Sequence, residues 1–254
     1  MFGKYFGFCA AVLAICGGAF VCRGEVALDG KRIAADEMRG IKFGADKRVL
    51  IKYKRALPDT AYTVPSGVTA IGYSAFSNCR NLVSVTLPEG VAAIGSYAFA
   101  NCKALRSIKL PATLTAIGNG AFSGCVNLTE VKIPSGVTAI GNRAFRGCGI
   151  AELAIPAKVA AIGKNAFAGC VRLKKVTVPG SIRVVSQAMF EGCKNLTSVT
   201  IEPGVEEIGM FAFSRCVSLR EVKIPPTVRV IGKNAFRGCP CEAKLKLDYP
   251  HLFK

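Results

Sequence analysis

Apolar and small residues recur at a fixed interval along most of this chain. The stretch Leu87 to Lys109 reads LPEGVAAIGSYAFANCKALRSIK, and the next, Leu110 to Lys132, reads LPATLTAIGNGAFSGCVNLTEVK. The shared frame is aliphatic-Pro-x-x-aliphatic-x-x-Ile-Gly-x-x-Ala-Phe-x-x-Cys-x-x-Leu-x-x-Val-x. Eight units follow it, the first beginning at Val64 and the last at Ile224. Cys79, Cys102, Cys125, Cys148, Cys170, Cys193, Cys216 and Cys239 mark the period, which is 23 residues except for 22 between Cys148 and Cys170. The missing residue falls just before Ile150. A unit this short cannot enclose a core alone. Its apolar positions must stack on their copies in neighbouring units, which predicts a repeat solenoid.

Within a unit, Leu82 to Pro88 reads as a short strand. Val85 and Leu87 share one face by the two-residue period, and Pro88 ends the strand because it has no N–H for a ladder. Stacked copies give a parallel sheet at about 4.8 Å per step. The Ile-Gly-x-x-Ala-Phe-x-x-Cys stretch is expected on the other side of the coil, as turns or short helical segments. Phe76, Phe99, Phe122, Phe145, Phe167, Phe190, Phe213 and Phe236 should then stack as a spine. Gly or Asn precedes most of the cysteines, which predicts a left-handed turn there. Arg215 breaks that row and predicts a strained or altered turn. Equivalent cysteines pointing the same way are poorly disposed for disulfides and are expected to be buried, reduced and apolar in role.

The ends depart from the repeat. Residues 25–63 read as an N-terminal cap, with a strand from Val49 to Tyr53 and a merger into the first coil at Tyr62 to Pro65. Lys244 to Leu247 alternate like a last strand, so the solenoid with its cap is placed at residues 64–247, and the tail at 248–254 is expected to be mobile. Cys239 and Cys241 form a Cys-Pro-Cys at this end. Zinc would need two further ligands and none is apparent, so cap packing is the favoured reading.

The repeated frame resembles the BspA-like leucine-rich repeats, a bacterial class with this 23-residue period. The resemblance covers residues 64 to about 247, and Val49 to Pro65 looks like the lead-in before a first such repeat. It implies a leucine-rich-repeat-like right-handed coil with a parallel β-sheet on one face. It also implies a secreted or surface-exposed protein, several members of the class being adhesins, and leaves the ligand open because the motif encodes the scaffold.

Composition adds location and charge. Lys4, an apolar stretch from Tyr5 to Val21 and small residues beyond it read as a bacterial secretory signal over residues 1–24. Cleavage after Gly24 is favoured over cleavage after Ala19. Lipidation at Cys16 or Cys22 is disfavoured, since Ile15 and Val21 precede them. No later segment is uniformly apolar for a membrane span. The chain carries a net charge of +18; beyond residue 24 it has 32 basic and 16 acidic residues. Such an excess attracts polyanions.

Catalysis has little to work with. His251 is the one histidine and is the fourth residue from the C-terminal end. No HExxH, P-loop or dinucleotide fingerprint is present, no metal or other cofactor is implied, and acidic residues are scattered among units. The strand face is the predicted working surface, polar, mixed in charge and without aromatics. Its cations Arg106, Lys109, Lys132, Lys174, Lys175, Arg220 and Lys223 are the candidate ligand-binding residues. The expected partner is a protein or cell-surface ligand, bound in adhesion or protein–protein interaction. A polyanionic glycan or envelope surface, bound electrostatically, is the alternative. Nucleic acid is disfavoured by the absence of stacking aromatics and by export.

Overall fold

The computed structural model describes residues 29–254, so the segment read as an export signal lies outside the described residues. The chain winds as a solenoid of parallel strands. The expected strand segment is present. Ala61–Thr63, Ser84–Thr86 and Ser107–Lys109 form one parallel sheet, and Lys175–Val178, Ser198–Ile201 and Glu221–Lys223 form another.

A second set of strands, not foreseen in the sequence, lies where only turns or helical segments were expected. Ala70–Ile71, Ala93–Ile94, Ala116–Ile117, Ala139–Ile140 and Ala161–Ile162 pair in parallel with Val49–Lys52 at their N-terminal edge, and Lys42–Phe43 adds an antiparallel strand there. The glycine after each isoleucine makes this possible. A Cβ on Gly95 would sit 2.8 Å from the Ile71 carbonyl oxygen, and one on Gly141 would sit 2.5 Å from the Asn119 nitrogen. No side chain fits that approach, and so the amide of each glycine reaches the coil before it: Gly95 donates to Ile71, Gly118 to Ile94 and Gly141 to Ile117, each at 2.8 Å.

Ser186 stands where the other units have this glycine. Its amide makes no such bond, and its hydroxyl donates to the Ile162 carbonyl instead. The sheet ends at that point, and a separate one resumes with Val184–Val185, Glu207–Ile208 and Val230–Ile231. The break thus falls in the one unit where serine replaces this glycine.

The Gly-x-x-Ala-Phe-x-x-Cys segment forms no helix. It bends twice through left-handed backbone. The expected bend before each cysteine is present in all eight units, including Arg215 at φ 61°. A second bend falls two residues before each spine phenylalanine, with φ from 51° to 59° in Ser74, Tyr97, Gly120, Arg143, Asn165, Ala188, Phe211 and Asn234. Large side chains such as Tyr97 and Phe211 are costly there, so the neighbours must hold them. They do so through three backbone bonds per interface. Ser74, Phe76 and Asn78 donate to Ser96, Ala98 and Ala100 of the next coil, and the pattern repeats to the last coil, where Phe211, Phe213 and Arg215 donate to Lys233, Ala235 and Arg237.

Inside this ladder the phenylalanines stack as expected. Successive ring centroids lie 4.8 to 5.5 Å apart with planes within 10°. Tyr53 continues the stack below Phe76 at 5.1 Å. The nine described cysteines are free and buried. From Cys102 onward each repeat thiol also donates to the carbonyl of a phenylalanine one coil back, as Cys125 does to Phe99 at 3.0 Å. The position thus needs a small apolar group that can donate, which alanine cannot supply.

Both caps are more ordered than the sequence suggested. At the N-terminus helix α1, Gly30–Met38, lays Ile33 on the core, and its buried Asp36 accepts from Tyr62 Oη at 2.5 Å. At the C-terminus the strand expected at Lys244 to Leu247 is instead part of helix α2, Glu242–Asp248, followed by a 3-10 turn at Pro250–Leu252. Cys241, Leu245, Tyr249 and Leu252 recur at helical spacing. The first two and Leu252 are buried, Tyr249 packs against the core, and Leu247 points to solvent. The tail is therefore not free: Phe253 bridges Ile231, and the Lys254 amide donates to the Ile231 carbonyl at 3.1 Å.

The glycine row yields one prediction. Gly141→Ala should cost about 1–3 kcal/mol or more by overpacking, measured in denaturant melts. Ser186→Gly should let the amide at that position bond Ile162, seen as slower hydrogen exchange there. Unchanged exchange would show that the break has another cause.

The thiols yield a second. Burial pushes the Cys79 and Cys170 thiols up to about 12, whereas an unfolded thiol ionises near ~8.5. The unfolded chain therefore loses protons first. Stability should be fully present below ~8.5 and fall as pH rises from there towards ~12. Melting temperature against pH, in a reductant-containing buffer, reads this directly.

Candidate functional site

The register of the strands lines up the predicted rows. Thr63, Thr86 and Lys109 are cross-strand partners, as are Thr177, Thr200 and Lys223, and Lys175, Ser198 and Glu221. All seven predicted cations are exposed. The structure does not gather them into one patch, however. Arg106, Lys109 and Lys132 lie in the N-terminal half of the face, and Lys174, Lys175, Arg220 and Lys223 in the C-terminal half.

The division comes from the shortened unit. Ser107 forms one bridge to Glu130, and Leu153 one bridge to Val176. Among the described residues no strand pairing joins Glu130 to Lys132 with Glu152 to Ala154. Two local features account for this. The interval missing before Ile150 shortens the path round that coil, which passes so close that a Cβ on Gly149 would meet the Val126 carbonyl oxygen at 2.4 Å. Glu130 and Glu152 also occupy equivalent positions in adjacent coils, where like charges oppose pairing.

An open groove of about 1060 Å³ lies where the face parts. Ile108, Leu110, Val131 and Pro134 give it an apolar floor, and Lys109, Lys132, Glu89, Glu130 and Glu152 stand around it. Of these residues, Lys109 and Lys132 are predicted site residues, and the others are not. Val131 and Leu110 occupy apolar positions of the repeated frame, and both are half-buried beside the groove. The signal that was available is the missing residue before Ile150.

The groove holds carboxylates and amines without a nucleophile–base pair. Among the described residues no group of three or more His, Cys, Asp or Glu side chains is placed to hold a metal ion. His251 is in the exposed C-terminal turn, far in sequence from the groove. No helix among the described residues is long and apolar enough to cross a membrane.

A solenoid of short repeated coils with parallel strands on one face is the architecture of a leucine-rich-repeat scaffold. The chain belongs to the BspA type leucine-rich repeat family, whose model matches residues 58–170 and 115–242 in 6 copies. Its structure is similar to that of a leucine-rich repeat protein from Bacteroides ovatus, with TM-score 0.71 and 27% identity. That match covers 88% of this chain, which spans 57% of the length of the Bacteroides ovatus protein. It is also similar to a leucine-rich repeat protein of T. pallidum, with TM-score 0.64, 30% identity, and coverage of 70% of this chain and 86% of that one. No curated protein matches its sequence.

The origin of the groove can be tested by inserting one residue between Gly149 and Ile150, which restores the 23-residue interval. Strand pairing should extend across Glu130 to Lys132, and hydrogen exchange of those amides should slow. Exchange that stays fast would mean that the Glu130–Glu152 repulsion, rather than chain length, holds the face apart.

Proposed function

We propose that this protein is an exported, non-catalytic scaffold that binds a partner protein, in adhesion or another surface interaction, through the groove on its strand face. The observation that supports this most is the groove itself. An apolar floor under a polar rim is the anatomy of a protein-recognition site, and the rim carries both signs of charge, which suits a partner with complementary charges of both signs. Lys109 and Lys132 contribute the rim on this reading, with Arg106 beside them. Lys174, Lys175, Arg220 and Lys223 extend the contact along the second half of the face.

Export rests on the order of Lys4, apolar stretch and small residues at the start of the chain. Mass spectrometry of secreted protein should find an N-terminus at Glu25. Retention of residues 1–24 in a cytoplasmic product would defeat that part of the reading.

The binding test is a comparison of variants. The chain from Glu25 and its Val131→Glu form are presented to arrays of extracellular-matrix and bacterial surface proteins. A partner held by the groove should bind the parent chain and lose on the order of fivefold or more affinity with Val131→Glu, the scale of a well-placed interface residue. Circular dichroism controls for folding. Partners that bind both forms equally would move the functional face away from the groove.

A further inference from the structure

The strand face is not where the positive charge of this protein is least opposed. On that face Glu130, Glu152 and Glu221 interleave with the cations. The turn face differs. Between the glycine after each isoleucine and the repeat cysteine, the first three units carry no charged residue. The last five carry Arg143, Arg146, Lys164, Arg215, Lys233 and Arg237 against Glu191 alone. All six cations are exposed, and among the described residues none of the six is in an ion pair.

Geometry concentrates them further. The uninterrupted ladder places these residues on one continuous surface, where spine rings 5.3 to 5.5 Å apart set the spacing from the fourth coil to the eighth. Four ring spacings make a strip about 20 Å long along the axis. A shallow groove of about 540 Å³ overlaps it and is lined by two of the six cations, Arg146 and Arg215. Gly124, Gly147, Gly169 and Gly192 form its floor, and Arg146, Lys194, Arg215 and Glu191 are among its walls. Arg215 occupies, at φ 61°, the position that glycine takes in the neighbouring units. It keeps a guanidinium over the floor at the cost of a backbone conformation that arginine adopts reluctantly.

We infer that this strip is a second binding surface, independent of the strand-face groove, and that it takes a linear acidic polysaccharide lying along the solenoid axis. Repeated anionic groups on an extended chain match cations repeated along a straight axis. The guanidinium fork suits carboxylate and sulfate geometry. A lining of glycines and small residues admits a sugar backbone close to Arg146 and Arg215. Nucleic acid fits less well, because its bases seek stacking rings and Phe211, half-buried, is the lone aromatic in the outward positions of these five units.

The test measures affinity for size-defined heparin oligosaccharides, using the chain from Glu25 at low and physiological ionic strength. One variant combines Arg143→Gln, Arg146→Gln, Arg215→Gly and Arg237→Gln. A charge-matched control combines Arg106→Gln, Lys109→Gln, Lys174→Gln and Lys223→Gln. The turn-face variant should lose about tenfold or more in affinity and the control no more than about twofold, because a focused field acts locally and salt screens distant charges. Glu191→Gln, a milder change, should tighten binding by about twofold on the same grounds. Equal losses in the two quadruple variants would overturn the proposal, leaving net charge as the whole effect. So would tighter binding to a DNA duplex of equal charge or to phosphatidylglycerol vesicles, or no binding to the oligosaccharides at all.

Discussion

The turn ladder is the interaction on which the rest of the molecule depends. At each of its seven interfaces three backbone bonds join consecutive coils, and the ladder never breaks. It holds residues such as Tyr97 and Phe211 in left-handed backbone that neither would choose alone. It also sets the distance at which the spine rings stack, where each ring is buried, Phe76 to Phe213 between two other rings and Phe236 against one. The thiol bonds from each repeat cysteine to a carbonyl one coil back tie the spine to this ladder. Stability in such an array accumulates interface by interface, so a continuous ladder permits irregularity elsewhere.

That tolerance shapes the two sheets. The glycine-row sheet stops before Val184–Val185, in the unit where Ser186 replaces the glycine and its hydroxyl, not its amide, bonds the Ile162 carbonyl. The strand-face sheet parts at the shortened unit before Ile150. These two departures fall at successive interfaces, and each is spanned by the other sheet: Ala139–Ile140 still pairs with Ala161–Ile162 where the strand face parts, and Leu153 still bridges Val176 where the glycine row stops. One departure also produces the open groove, whose apolar floor would be covered in a regular sheet. A perfect repeat offers the same surface everywhere, whereas a break makes one place different.

The caps show how the array ends without exposing its edges. Tyr53 and Tyr62 extend the aromatic stack towards helix α1, each with its hydroxyl on a carboxylate, Asp59 or Asp36. Both phenols are pushed well above their usual range, first by burial, so they remain neutral donors. At the other end α2 covers the last coil with Leu245, and the closing residues pair along Ile231. Each cap thus supplies apolar cover over the stack and hydrogen bonds to the outermost strands.

The sequence by itself determined the solenoid, its period, the buried spine, the free cysteines and the bends before them. Each of these follows from interactions between a residue and its own copy one period away, so the repeat alone specifies them. The aligned rows of the strand face were legible for the same reason. What only the tertiary structure decided concerns departures from the repeat and contacts with no copy. The second sheet depends on how closely coils approach at glycine, which no periodicity states. Leu245, read as alternating with Leu247, joins a helix because Cys241, Tyr249 and Leu252 find the end of the core together. The grouping of Lys109 and Lys132 round a groove, apart from Lys174 and Arg220, depends on where the sheet parts. The separation of charge onto the turn face emerged once that segment proved to be a straight ladder, because only then do residues 23 apart become neighbours on one surface.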